Sequence, residues 1–198
     1  GSRPFWAGTL SRPTIFALAL MREDMKSAVL VLDVQTKMFT DHPRPFEADE
    51  VVKRINDVTA QARNSGTPVF FIQTEVQGYL DYDSEGWNLE KNLIIGKNDL
   101  YIRKTAGDSF LRTELQDKLK SLNISDLIIC GYASEFCIDN TTRRATGLGY
   151  TVQLVSDAHT THDKEHLSAD NIRNHHNITL SMGPTITAVA SENVEING

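Results

Sequence analysis

The chain has 198 residues, 40% of them hydrophobic and 23% charged, with a net charge of −6 and two cysteines. That length suits one domain with a substantial core, and an acidic balance without a Lys/Arg cluster excludes a nucleic-acid footprint. Cys130 sits inside a predicted strand and Cys137 past its end, so they are not a disulfide framework, and a reducing, cytoplasmic setting is expected.

Residues 1–25 differ in character from the rest. Gly1–Met21 contains Arg3 and Arg12, no acidic residue and one apolar run, Ile15–Leu20, which is too short to cross a bilayer. A leader beginning Gly-Ser, a targeting peptide and a native arm are the competing readings. We favour a leader, because Met25-Lys26 directly precedes the first strong strand. The domain is then residues 26–198, with no membrane partner.

Ser27–Asp33 is a continuous apolar run closing on an acid, the pattern of a strand buried on both faces of a parallel sheet. Glu47–Ser65 carries Val51, Val52, Ile55, Val58 and Ala62 at helical spacing, and Gly66 stops it. Pro68–Gln73 is a second buried strand. Residues 74–98 form a long polar connection with Tyr79, Tyr82 and Trp87, and a connection of that length is more often functional than filler.

Leu100–Lys104 is a third strand. Ser109 can cap a helix presenting Phe110, Leu111, Leu115, Leu119 and Leu122. Asp126–Cys130 opens the fourth strand unit, and Cys137 stands where the next helix should begin. Thr151–Val155 is a fifth strand ended by Asp157, a helix follows near Lys164–His175, and Thr185–Ala190 is a short sixth strand. Strands alternating with helices predict an α/β, doubly wound, mostly parallel six-stranded sheet with helices on both faces.

In an open parallel sheet, ligands bind outside the carboxyl ends of the strands. Asp33, Lys104 and Cys137 all fall at or just beyond such ends. A carboxylate can take a thiol proton, a lysine can hold the pair in its reactive charge state, and a thiolate can attack a carbonyl. A helix start also favours the thiolate of Cys137 through its free N–H groups and dipole. The bland alternatives are a helix-capping acid, a solvated lysine and a buried, inert cysteine.

The ordered segments VLVLDVQ, IRKTAGDSFLRTEL, LIICGYASEFCIDNTTRRATGLGYTVQLVSDAHTT and NIRNHHNITL resemble the isochorismatase-like cysteine hydrolases over about residues 26–190. The resemblance implies Asp33 as general base, Lys104 as its charged partner and Cys137 as nucleophile on an amide or related C–N bond. It also implies a cis peptide at Tyr132–Ala133, an oxyanion hole from the N–H groups of Ala133 and Cys137, no cofactor, and a homo-oligomer (dimer or tetramer). Family members acting on the isochorismate ether commonly lack the cysteine, so Cys137 points to amide chemistry. Nicotinamidase members carry an Asp-x-His metal motif where this chain reads QTEVQGY, with Glu75 and no histidine, so no metal is expected.

The small-molecule substrate is expected among Gln35, Phe39, Trp87, Phe110, Tyr132 and Phe136; core packing is the alternative for each, an equal one for Phe110 and Phe136, while Trp87 is favoured for the pocket because it lies on the long loop. Asp81, Asp83 and Glu85 read as a solvated acidic face. His162–His166 matches an H-x-x-E-H zinc pattern but straddles a loop and a helix start, which argues against zinc. Gly147-Leu148-Gly149 reads as a helix stop, and His175 and His176 as structural. Besides amide hydrolysis, three readings stay open: hydrolysis of a non-amide bond, a thiol sensor, and a non-catalytic binding protein.

Overall fold

The computed structural model describes residues 26–198, so the leader reading of residues 1–25 lies outside the described residues. Six strands form one sheet: β1 (Lys26–Leu32), β2 (Val69–Thr74), β3 (Leu100–Lys104), β4 (Ile124–Tyr132), β5 (Thr151–Thr160) and β6 (Ile186–Val189). Their order is β3-β2-β1-β4-β5-β6, and every neighbouring pair is parallel.

Alternation along the strands builds two cores. Val29 and Val31 of β1 point with Phe71, Ile128 and Cys130 toward one face, where α2 (Ala48–Asn64) lays Val51, Val52, Ile55, Val58 and Ala62. Ala28, Leu30 and Leu32 point the other way with Phe70, Ile72, Leu127 and Ile129. That face is covered by Leu115 and Leu119 of α3 (Leu115–Ser121), Ala145 of α4 (Asp139–Gly147) and Leu180 of α5 (Ala169–Leu180). Each such aliphatic side chain, fully buried, contributes about 2 kcal/mol. Continuous apolar strands therefore serve two helical layers at once, which is why they show no polar face.

Several boundaries moved, each for a local reason. A short helix, α1 (Thr36–Thr40), follows β1 and was not anticipated. α3 begins at Leu115 rather than at Ser109, because the buried Ser109 hydroxyl is engaged by Thr141 Oγ1 at 2.9 Å. Leu111 and Leu122 are consequently exposed. β5 runs through Asp157 to Thr160 after a register shift against β4, and the Asp157 carboxylate accepts from Ser191 N and Oγ. α5 starts at Ala169, where Ser168 accepts from Asn171 N as its N-cap.

The registers bring the strand ends together. Leu32 lies beside both Ile72 and Gly131, and Thr74 beside Lys104. Gly131 has φ +118, and a Cβ there would collide with the Leu32 carbonyl, so only glycine lets β4 approach β1 at this level.

Candidate active site

Asp33 leaves β1 with φ 52, a left-handed conformation that aspartate tolerates better than most residues, while its N–H bonds the Ile72 carbonyl at 2.8 Å. β4 ends at Tyr132, the Tyr132–Ala133 peptide is cis, and a π-helical turn over Ser134–Ile138 runs directly into α4. Cys137 thus sits inside a helical segment that begins three residues before it, not on the first residue of a helix. A π-turn of this kind commonly marks a functional site.

These local choices bring Asp33, Lys104 and Cys137 together although 71 and 33 residues separate Lys104 from the other two. Lys104 Nζ lies 2.8 Å from Asp33 Oδ2 and 3.2 Å from Cys137 Sγ. It also reaches Thr74 Oγ1 at 2.6 Å and the Ala106 carbonyl at 3.1 Å. An ammonium has three protons for these four neighbours. A thiol at Cys137 accepts only weakly, whereas a thiolate would compete for a proton, so the lysine is placed to follow the charge as it moves from Asp33 to sulfur.

Thr74 completes the cluster by donating to Asp33 Oδ1 at 2.8 Å. It closes β2, so the strand-end rule that finds Asp33 and Lys104 could have found it too. Thr74→Val should leave Asp33 and Lys104 each short of a partner. We expect a loss of about 1–3 kcal/mol in urea unfolding, with kcat falling more than KM rises.

The charge state differs from the helix-start expectation. Burial pushes the Cys137 thiol up to about 12; the Asp33 carboxylate adds to this and the Lys104 ammonium opposes it. For Lys104, burial disfavours the charge but is outweighed by Asp33 and Cys137, so its pKa is raised. The resting site is therefore a carboxylate, an ammonium and a neutral thiol, able to form a thiolate only by passing its proton to a neighbour. Cys130, also pushed up to about 12 by burial, is fully enclosed with no such neighbours and is inert.

The cluster forms one wall of a cavity of about 350 Å³ lined by Asp33, Cys137, Ala133, Tyr132, Phe136, Met38, Thr74, Val76, Glu135, Lys164 and the 105–107 turn. Of the six residues expected to touch substrate, Tyr132 and Phe136 line it. The other four do not. Phe39 is fully buried edge-on to Tyr132, and Phe110 stacks on Tyr150 in the core. Gln35 is buried as a clip, bonding the Thr74 backbone through both side-chain ends and the Trp87 carbonyl at 2.8 Å. Trp87 packs edge-on against Tyr82. The long loop is thus tied down behind the cavity, and Val76 is the loop residue that reaches it. Met38, Glu135 and Lys164 carried no sequence signal.

The zinc pattern dissolves in the structure. His162 Nδ1 pairs with Tyr132 Oη at 2.8 Å, and Lys164 and Leu167 form a turn before α5. Glu75 pairs with Arg103. Among the described residues, no cluster of three or more His, Cys, Asp or Glu side chains could hold a metal ion, and no helix is long and apolar enough to cross a membrane.

A buried histidine supports the turn that carries the cysteine. His159 bonds Ser134 Oγ and Asn177 Oδ1, each at 2.8 Å, and burial pushes its pKa down from 6.5 to about 4. The folded state thus binds fewer protons than the unfolded chain between those values. The stabilisation is complete above pH 6.5 and is lost as pH falls through 4, by about 3 kcal/mol. Urea titrations at pH 7, 5.5 and 4.5 should record that fall, and His159→Gln should flatten it.

The chain matches the isochorismatase domain over residues 27–188. A streptothricin hydrolase of Streptomyces noursei is 32% identical over 164 residues, 82% of this chain. The chain spans 63% of that relative's length and 50% of a second streptothricin hydrolase from the same organism. A solved isochorismatase family protein is 32% identical, with a TM-score of 0.79, covering 83% of this chain and 98% of the other. The N-carbamoylsarcosine amidase of Thermoplasma acidophilum has a TM-score of 0.74 at 20% identity over 86% of this chain and 99% of its own, a likeness of fold.

Proposed function

The chain belongs to the isochorismatase family, whose members are hydrolases, and from that premise we propose that it cleaves the C–N bond of a small amide, lactam or ureide through a thioester on Cys137. The observation that carries this reading is the Lys104 ammonium held 2.8 Å from the Asp33 carboxylate and 3.2 Å from Cys137 Sγ in the wall of a substrate-sized cavity. The similarity to a relative named as a streptothricin hydrolase supports hydrolytic chemistry in this part of the family.

In the proposed sequence, Asp33 takes the Cys137 proton as sulfur attacks the carbonyl carbon. Lys104 turns a hydrogen bond toward the thiolate, offsetting the burial that keeps the resting thiol neutral. The developing oxyanion is held by the N–H groups of Ala133 and Cys137, each such donor being worth about 3 kcal/mol of barrier. Collapse expels the nitrogen, which leaves with the proton from Asp33. Water, activated by Asp33, then cleaves the thioester, and the thiol recovers its proton.

The test is a screen of small amides, lactams and ureides for ammonia or amine release, with Cys137→Ala as the blank. Rapidly quenched wild-type protein should carry the acyl group on Cys137 in its intact mass. Turnover without any acyl adduct, in a protein whose Cys137→Ala variant is equally active, would overturn the thioester.

A further inference from the structure

The charges at the cavity around Cys137 form two closed pairs. Asp33 and Lys104 are buried side chains 2.8 Å apart, and Glu135 meets Lys164 at 2.9 Å. Lys164 is the most exposed of the four, but an anion drawn to it also meets the Glu135 carboxylate. Glu135 in turn accepts from Thr161 Oγ1 at 2.8 Å, and its Oε2 is buried. The Tyr132 hydroxyl is held by His162 Nδ1 at 2.8 Å. Opposite charges therefore balance, and each is already answered from within the protein.

The rest of the wall is largely apolar, with Met38, Val76, Ala106, the Tyr132 ring and Phe136 facing the same space of about 350 Å³. Phe136 is 62% exposed and Val76 44% exposed. Large apolar side chains left open beside a buried nucleophile keep water against hydrocarbon, and covering them is favourable in proportion to the area covered. A charged group entering the same space would lose its hydration and find its counter-charges already paired.

We propose that the cavity selects an uncharged substrate with an apolar acyl group, and that Met38, Val76 and Phe136 are the specificity residues that cover that group. A primary amide fits this arrangement simply. Its nitrogen leaves as ammonia, so everything else in the molecule is the acyl group that the apolar wall must accept. Met38, unbranched and flexible, can adjust to acyl groups of different shape.

This inference rests on the amide-hydrolase reading for its choice of ligands, so it is tested by binding as well as by turnover. The first probes are butanamide, pentanamide and hexanamide, which differ by one methylene each. Two matched pairs then test charge. Succinamate against 4-methylpentanamide exchanges a carboxylate for an isopropyl group, and 4-aminobutanamide against pentanamide exchanges an ammonium for a methyl. Affinities are measured by NMR titration of the non-reacting Cys137→Ala protein, and KM along the series on the wild type.

Each added methylene should tighten binding about two- to fourfold, and each charged analogue should bind about tenfold or more weakly than its neutral partner. Adding Phe136→Ala should remove about half or more of the gain from butanamide to hexanamide. Adding Val76→Thr, which keeps the shape and replaces a methyl by a hydroxyl, should lower the gain as well. Ile178→Ala, an exposed apolar change on α5 outside the cavity wall, should preserve it. Affinity that does not rise with chain length, a charged analogue that binds as tightly as its neutral partner, or a gain untouched by both Phe136→Ala and Val76→Thr would each overturn the proposal. Wild-type turnover with KM flat along the series would also overturn it and leave the hydrolase reading standing. A chain-length preference in binding, with no wild-type turnover of any amide, lactam or ureide, would instead overturn the hydrolase reading and leave an apolar ligand cavity.

Discussion

Replacing Cys137 with alanine should lower hydrolysis of any amide the protein turns over by ~10^4-fold or more, because it removes the atom that forms the covalent intermediate. The fold should hardly notice. Cys137 lies at the cavity wall and its sulfur meets Lys104, which keeps Asp33, Thr74 and the Ala106 carbonyl. We expect unfolding free energies within about 1 kcal/mol of wild type. Cys137→Ser should be nearly as inactive, since a hydroxyl is a far weaker acid than a thiol and the carboxylate of Asp33 is a poor base toward it. Steady-state ammonia release and urea unfolding on the same preparations check both statements. A stable Cys137→Ala protein with substantial activity would remove sulfur from the reaction altogether.

Asp33→Asn should separate catalysis from thiol reactivity. Turnover should fall by roughly 10^2–10^4-fold, the usual range for a lost general base. The thiol, in contrast, should become more acidic. Burial is the first reason it stands near 12, but Asp33 is the second, and Lys104 already acts in the opposite direction. With the carboxylate gone, the buried ammonium has the sulfur as its nearest potential anion, and each unit by which the thiol pKa falls raises the thiolate fraction tenfold. Alkylation by iodoacetamide at pH 8 should therefore accelerate at least tenfold while hydrolysis collapses.

Lys104→Met should do the reverse for the thiol. It removes the charge beside sulfur that favours the thiolate, so alkylation and turnover should fall together. Both variants break a buried pair, with the Lys104 and Asp33 side chains 0% and 2% exposed, and should cost ~3 kcal/mol of stability. If Asp33→Asn slowed alkylation as much as turnover, Asp33 would be a structural support and not a base.

The resting neutral thiol also bears on selectivity. A permanently ionised cysteine reacts with whatever electrophile reaches it. In the mechanism proposed above, the proton leaves sulfur for a carboxylate only when the carbonyl, the lysine and the backbone donors can share the new charge. That would make thiolate formation part of the chemical step, and it fits a cavity open enough to expose Phe136 at 62% beside Cys137.

Much of this was legible in the sequence, because it depends on patterns that are local along the chain. Continuous apolar runs such as Ser27–Leu32 and Leu127–Cys130 state that both faces of a strand are covered, and that alone implies a parallel sheet between helices. A parallel sheet collects its strand ends at one edge, which singled out Asp33, Lys104 and Cys137 without any knowledge of distances. The tertiary structure decided what surrounds them. Gln35, Phe39, Trp87 and Phe110 look in sequence like cavity residues, yet long-range packing draws them into the core or into tying down the loop. Thr74, Glu135 and Lys164 reach the site through pairings with residues up to 41 positions away. The protonation state of Cys137 was decided there as well: a helix start favours a thiolate, but burial beside a carboxylate favours the thiol more, and neither burial nor proximity is written in the local sequence.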